Sequence, residues 1–106
     1  MRLAGASVGL DELRSPEVDS LIETLLSIED PETMFAFLQD LCTVREIQDM
    51  AQRLKVARML VEGAHYNDIQ EAAGASTTTI SRVNRALNYG ADGYRRVIEP
   101  DSGEEG

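Results

Sequence analysis

The sequence predicts an all-α fold, and three observations carry that prediction. Apolar residues recur at intervals of three and four, which is the spacing of one face of a helix. Typical helix starts precede these stretches at Ser15-Pro16, Asp30-Pro31 and Thr43-Val44-Arg45-Glu46. No segment alternates between apolar and polar residues as a half-buried strand does, so we expect helices throughout.

Three helices are predicted in the first part of the chain. The first spans about residues 15 to 27, and its apolar face consists of Val18, Leu21, Ile22, Leu25 and Leu26. The second is short and follows Asp30-Pro31. The third is long, begins with a capping box of Thr43 and Glu46, and ends at Gly63 in a left-handed conformation. Its apolar stripe is wide enough to face more than one neighbour.

Three shorter helices are predicted after Gly63, at residues 66 to 73, 77 to 87 and about 92 to 98. Ile69 lies four residues before Ala73 on the first of them, and Ile80 lies three before Val83 on the next. Gly74 and the small residues beside it allow a tight turn between these two helices. This spacing predicts a helix-turn-helix at residues 66 to 87, in a six-helix chain.

The charge of the chain is unevenly distributed. The formal net charge is -9, and residues 1 to 41 carry nine acidic residues against two arginines. From residue 77 to residue 98 the only acidic residue is Asp92, whereas four arginines are present: Arg82, Arg85, Arg95 and Arg96. An acidic protein can therefore carry a local positive patch near the helix-turn-helix, although its overall field slows the approach of a polyanion.

The predicted organisation is a mobile arm at residues 1 to 14, one helical domain at 15 to 98, and an acidic disordered tail at 99 to 106. The apolar faces between residues 16 and 61 exceed what a compact monomer of this size can bury, which predicts a homodimer. No segment is apolar enough to span a membrane, and the single cysteine, Cys42, cannot form an internal disulfide. We expect a cytoplasmic protein.

Catalytic and metal-binding patterns are absent from the sequence. His65 is the only histidine, and no cysteine stands at metal-ligand spacing from it. Adjacent acidic residues occur only in predicted loops or tails, where solvated charge explains them. We therefore predict neither an enzyme nor a metal site.

The helix at residues 77 to 87 presents the side chains that nucleic acids bind. With Ile80 and Val83 facing inward, its outer face carries hydroxyls and guanidinium groups, at Thr77, Thr78, Ser81, Arg82 and Arg85. Short hydroxyls let a helix lie deep in the major groove and hydrogen-bond with base edges, so we count Ser76, just before the helix, with these residues as DNA-binding. The alternative is that Ser76 and the threonines cap a helix and that the arginines are ordinary surface residues.

The chain resembles the Trp repressor superfamily, and most closely its YerC/YecD branch. The resemblance runs from about Phe37 to Leu87 through LCTVRE at 41 to 46, QRLKV at 52 to 56, LVEG at 60 to 63 and GASTTTISR at 74 to 82. It implies a six-helix protomer, an intertwined homodimer, and a recognition helix at residues 77 to 87. It also implies that Asn67 and Gln70 face phosphates, while the groove is faced by Thr77, Thr78, Thr79 and Ser81. The alternative for Asn67 and Gln70 is a solvated surface without a DNA contact.

The same resemblance implies a possible small-molecule site at Thr43, Arg53 and Arg82, which match residues around the bound indole in Trp repressor. Two neighbouring positions differ: Val83 stands in place of a glycine, and Ala86 in place of the serine that holds the ligand's amino group. A branched side chain fills part of the pocket, and an ammonium group loses a partner. The sequence therefore argues against a tryptophan corepressor and indicates no other cofactor. An ion pair with Asp49 or with another nearby acidic residue is an alternative role for Arg53.

The functional prediction is a sequence-specific DNA-binding transcriptional regulator, a repressor, that binds double-stranded DNA as a homodimer. The alternative is a helical dimeric protein-interaction module that retains the fold without specific DNA binding.

Overall fold

The computed structural model describes residues 13–99, which contain six complete helices and no strand. Their bounds are α1 Pro16–Ser27, α2 Pro31–Leu41, α3 Val44–Val61, α4 Tyr66–Ala73, α5 Thr77–Tyr89 and α6 Gly93–Ile98. The all-α prediction is confirmed. Two compact units meet in sequence at Leu41 and Cys42, so that α1 and α2 belong to the first unit and α3 to α6 to the second.

Both helices of the first unit begin where side-chain caps predict them. The Ser15 hydroxyl accepts a hydrogen bond from the Val18 amide at 3.1 Å, and the Asp30 carboxylate accepts one from the Thr33 amide at 2.9 Å. The hydrogen bond from the Thr33 backbone amide, and to a smaller extent that from the Thr33 side chain, holds the pKa of the Asp30 carboxyl below its usual value. Neither helix contains a buried residue, and Leu26 is 78% exposed.

The long helix α3 begins with the predicted capping box. The Thr43 hydroxyl accepts from the Glu46 amide at 3.0 Å, and the Thr43 amide donates to the Glu46 carboxylate at 2.8 Å. The helix is 18 residues long and is followed by Gly63, which has the predicted left-handed conformation with φ of 87°. The Gly63 amide donates to the Leu60 carbonyl at 3.0 Å, which satisfies one of the last helical carbonyl groups.

The core of the second unit lies where α3, α4 and α5 pack together. Its buried residues are Val56 and Ala57 on α3, Ile69 on α4, Ala75 in the turn, and Ile80 and Val83 on α5. Ile69, Ile80 and Val83 were predicted from spacing to face inward, and their burial confirms it. This apolar contact fixes α4 and α5 on α3 and determines which side of α5 is left exposed.

Helix α5 ends at Tyr89, two residues past its predicted end at Leu87, and Gly90 is its C-cap. The Gly90 amide donates to the Ala86 carbonyl at 2.9 Å, and a Cβ at Gly90 would lie 2.5 Å from that oxygen. Arg95 on α6 donates from Nε to the Leu87 carbonyl at 3.3 Å. An arginine from the next helix therefore satisfies one of the last carbonyl groups of α5.

Most of the predicted arm and tail lies outside the described residues, with only Leu13, Arg14 and Glu99 inside them. Within residues 13–99, none of the helices has the length and apolar character needed to cross a bilayer.

Candidate nucleic-acid interface

The helix-turn-helix is formed by α4, the turn at Gly74-Ala75-Ser76, and α5. Gly74 adopts the left-handed conformation with φ of 65°, and its amide donates to the Gln70 carbonyl at 3.0 Å. Ala75 is buried, so the turn is held against the core. The Ser76 hydroxyl accepts from the Thr79 amide at 3.1 Å and caps the start of α5. Local hydrogen bonds and one buried alanine thus fix the relative direction of the two helices.

Most of the predicted DNA-facing residues are exposed on these two helices. The exposed residues are Asn67 on α4 and Thr77, Thr78, Ser81, Arg82 and Arg85 on α5. Gln70 and Thr79 are half-buried. The structure therefore places five of the predicted residues on the side of α5 that faces away from the buried Ile80 and Val83.

Ser76 and Thr79 have structural roles at the start of α5. Besides accepting from the Thr79 amide, the Ser76 hydroxyl donates to the Thr79 Oγ1 at 3.2 Å. The hydroxyl of Ser76 is therefore used by the helix cap, as the alternative interpretation of this residue predicted. The Thr79 hydroxyl accepts from Ser76 and keeps its own hydrogen available to another group.

Fewer arginines keep an uncompensated positive charge near the helix-turn-helix than the sequence predicted. Arg95 Nη1 lies 3.4 Å from the Glu99 carboxylate, and Arg96 Nε lies 3.6 Å from that of Asp92. Arg82 and Arg85 form no ion pair with any of residues 13–99. Their guanidinium groups therefore carry the uncompensated positive charge of this face. In both ion pairs the arginine and the acidic residue are four positions apart, and this spacing in the sequence could have predicted that the charges of Arg95 and Arg96 are compensated.

Two exposed residues of the same face were not predicted, namely Asn88 and Tyr89. They lie on the side of α5 that carries Ser81 and Arg85, and Tyr89 is 84% exposed. The Asn88 amide donates to the Asn84 carbonyl at 3.0 Å, so its donors are partly used within the helix. Both were missed because the predicted helix ended at Leu87, although the next helix breaker in the sequence is Gly90.

The protomer does not bring together all three residues of the possible ligand site. The Thr43 hydroxyl is used in the capping box, whereas Arg53 lies ten residues further along α3, about 15 Å away along the helix axis. Arg82 is on α5, which packs against α3. The ion pair between Arg53 and Asp49 is not among those formed within residues 13–99, so that alternative is wrong for the protomer.

The two positions that differ from the tryptophan site are apolar and packed. Val83 is 1% exposed and belongs to the core, and Ala86 is half-buried. Ala86 borders an open groove of about 450 Å³ whose other lining residues are Leu54, Ala91, Gly93, Tyr94 and Val97. Among the described residues no acidic or basic side chain lines this groove, so they offer an ammonium or carboxylate group no charged partner there.

The family follows from comparison with known sequences. The sequence model of the Trp repressor protein family matches residues 16–102. The chain belongs to the Trp repressor family. The predicted resemblance is thereby confirmed, and the family consists of transcription regulators rather than enzymes.

A curated relative and two solved structures agree with this assignment. The chain is 52% identical over 90 residues to the uncharacterized protein YerC of Bacillus subtilis (strain 168), covering 85% of this chain and 86% of YerC. A TrpR-like protein from Eubacterium eligens ATCC 27750 is 49% identical with a TM-score of 0.82, covering 85% of this chain and 93% of that one. A candidate Trp repressor from Staphylococcus aureus is 42% identical with a TM-score of 0.83, covering 89% and 94%. These similarities confirm the Trp repressor-like fold.

Proposed function

We propose that this member of the Trp repressor family is a sequence-specific DNA-binding repressor that inserts α5 into the major groove. The observation that carries the proposal is the outer face of α5, where exposed hydroxyls follow a capped turn and two arginines form no ion pair within residues 13–99. Thr77, Thr78 and Ser81 are short, so they let the helix approach base edges closely and can donate or accept hydrogen bonds.

Charged and neutral residues have different tasks in this proposal. Arg85 contacts phosphate oxygens and Arg82 contacts phosphate oxygens or guanine, since a guanidinium group donates several hydrogen bonds in one plane. Asn67 on α4 is exposed and neutral, and it donates to a phosphate without releasing a counterion. Two arginines in a chain of net charge -9 give modest affinity, which should fall as salt is added, with a slope set by the number of phosphates that the arginines neutralise.

The proposed active form is a homodimer in the cytoplasm. Neither α1 nor α2 buries a residue within the protomer, and Leu26 and Phe35 are 78% and 56% exposed. A second copy of the chain would remove this apolar surface from water, which supports dimerisation. Two-fold symmetry would then place two copies of α5 in successive major grooves, about 34 Å apart.

Tryptophan is not the effector in this proposal. Val83 fills space in the core, and the apolar Ala86 cannot hold an amino group by hydrogen bonding. The turn and the start of α5 are held by contacts within the protein, so α5 is in place without a small molecule. Thr43, Arg53 and Arg82 thus have no assigned ligand.

Selection of DNA fragments from genomic or random pools tests this function. At low salt and without tryptophan, the purified protein is expected to enrich a motif with two-fold symmetry and half-sites about one helical turn apart. Added tryptophan should leave the affinity for this motif unchanged. If no symmetric motif is enriched, the proposal is wrong and the protein-interaction module is favoured. Co-purification with a protein partner that does not depend on salt would be the positive observation for that module.

Single substitutions separate base reading from charge. Thr78→Ala is expected to change the preferred sequence, at about 1 to 3 kcal/mol per lost base contact, with little change in salt dependence. Arg85→Ala should weaken binding to all sequences and reduce the salt slope by about 1. Binding titrations over a range of salt concentrations measure both effects.

Two variants serve as controls for these substitutions. Thr24→Ala removes a threonine from α1, and Arg96→Ala removes an arginine that is already paired with Asp92. Both should bind selected DNA as the wild type does. If Thr78→Ala leaves motif and affinity untouched in a folded protein, the threonines of α5 have no part in base recognition.

A further inference from the structure

A side-chain amide from α3 holds the turn of the helix-turn-helix. Gln52 Nε2 donates to the Ala73 carbonyl at 3.2 Å and to the Gly74 carbonyl at 3.0 Å. One amide nitrogen carries two hydrogens, so it can donate to both oxygens at once. These hydrogen bonds join residues 21 and 22 positions apart in sequence, and they connect α3 directly to the turn.

Both carbonyl groups lie beyond the last backbone hydrogen bond of α4, where a helix leaves its carbonyl groups without helical partners. That last hydrogen bond runs from the Gly74 amide to the Gln70 carbonyl, and within residues 13–99 no backbone amide donates to the carbonyl of Ala73, the last residue of α4. The Gly74 carbonyl belongs to the turn itself. Gln52 therefore satisfies both oxygens from a neighbouring helix.

Both partners of Gln52 are acceptors, which determines the chemistry required at this position. Only the amide nitrogen can face two carbonyl oxygens, because the amide oxygen would face them without a hydrogen. Methionine has a similar length and flexibility but no donor. Lysine carries three donors on a side chain of sufficient length. Replacing Gln52 by methionine or by lysine thus separates the effect of the hydrogen-bond donor from the effect of side-chain volume.

We propose that Gln52 is a positioning residue for DNA recognition, which fixes the angle between α4 and α5 through the turn. The core packing of Ile69, Ile80 and Val83 is non-directional, whereas hydrogen bonds to two successive carbonyl groups restrain the direction of the backbone. The angle determines how α5 lies in the groove while α4 contacts the backbone of the DNA. This inference rests on the proposed DNA-binding function.

The test compares Gln52→Met and Gln52→Lys with the same changes at Gln48, an exposed residue one turn earlier on α3 that makes no hydrogen bond to the turn. Gln52→Met is expected to lower the ratio of specific to non-specific DNA affinity by roughly tenfold, as the loss of two hydrogen bonds would. Gln52→Lys should restore the ratio to that of Gln48→Lys, which carries the same added charge. Gln48→Met should match the wild type.

Amide hydrogen exchange provides a readout that does not depend on DNA. Gln52→Met should accelerate exchange at the Gly74 amide by roughly tenfold, and Gln52→Lys should reverse this, because the carbonyl groups regain a donor. Equal exchange rates and equal affinity ratios in Gln52→Met and Gln48→Met would overturn the positioning role. So would equal behaviour of Gln52→Lys and Gln52→Met, a comparison that remains informative if the methionine variant is unstable.

The two proposals fail in different ways in this experiment. A wild-type protein that selects no DNA contradicts the DNA-binding function, and the exchange rates then still decide whether Gln52 holds the turn. A wild-type protein that selects DNA while all four variants keep its affinity ratio contradicts only the role of Gln52.

Discussion

Ile80→Ala is expected to lower the free energy of unfolding by about 2 to 5 kcal/mol, since it removes a fully buried side chain and leaves a cavity between α3 and α5. Ile80 is 0% exposed, so the variant loses the full burial free energy of the deleted groups in addition to the cost of the cavity. Urea denaturation at a fixed protein concentration measures the change, because the stability of a dimer depends on concentration.

The matched control for this change is Thr78→Ala, two residues earlier on the exposed side of the same helix. It should alter the stability by no more than about 0.5 kcal/mol. If Ile80→Ala also changed the free energy of unfolding by no more than about 0.5 kcal/mol, α5 would not pack on the core through this residue.

Leu26→Asp is expected to weaken dimerisation by about 3 to 6 kcal/mol. Burial of one leucine is worth about half that amount, and a two-fold interface contains each residue twice. Leu26 is 78% exposed in the protomer, so its replacement removes little packing within a single chain. Sedimentation or light scattering over a range of concentrations should show a monomer at micromolar concentration.

Ser20→Asp is the control for the added charge, because Ser20 is exposed on the polar side of α1, opposite the leucines. This variant should dimerise as the wild type does. A Leu26→Asp protein with an unchanged dimerisation constant would mean that a second copy does not cover the apolar face of α1.

Local patterns were sufficient to predict the helices. The caps at Ser15, Asp30 and Thr43, the left-handed conformation of Gly63 and the turn at Gly74 were identified from sequence, and the structure confirms each of them. These signals act over three or four residues, a distance that sequence alone fixes. The inward positions on α5 followed in the same way from the helical period.

The candidate site was predicted less completely because its properties depend on contacts between elements. Arg95 was counted toward the positive patch, yet it hydrogen-bonds the end of α5 and pairs with Glu99. Tyr89 was left out because the end of a helix is set by packing as well as by sequence signals. The hydrogen bonds from Gln52 to the turn gave no sequence signal at all, since the two carbonyl groups that accept them lie more than 20 residues away.

The sequence by itself determined the all-α class, the helix starts, the residues of the α5 face and the likeness to the Trp repressor family, because each depends on residue type and short-range spacing. Only the tertiary structure decided which of the arginines keep an uncompensated charge and how the turn is held. Those features depend on side chains from separate helices meeting in space, and the helical period places a residue on a face without specifying the partner that it meets there.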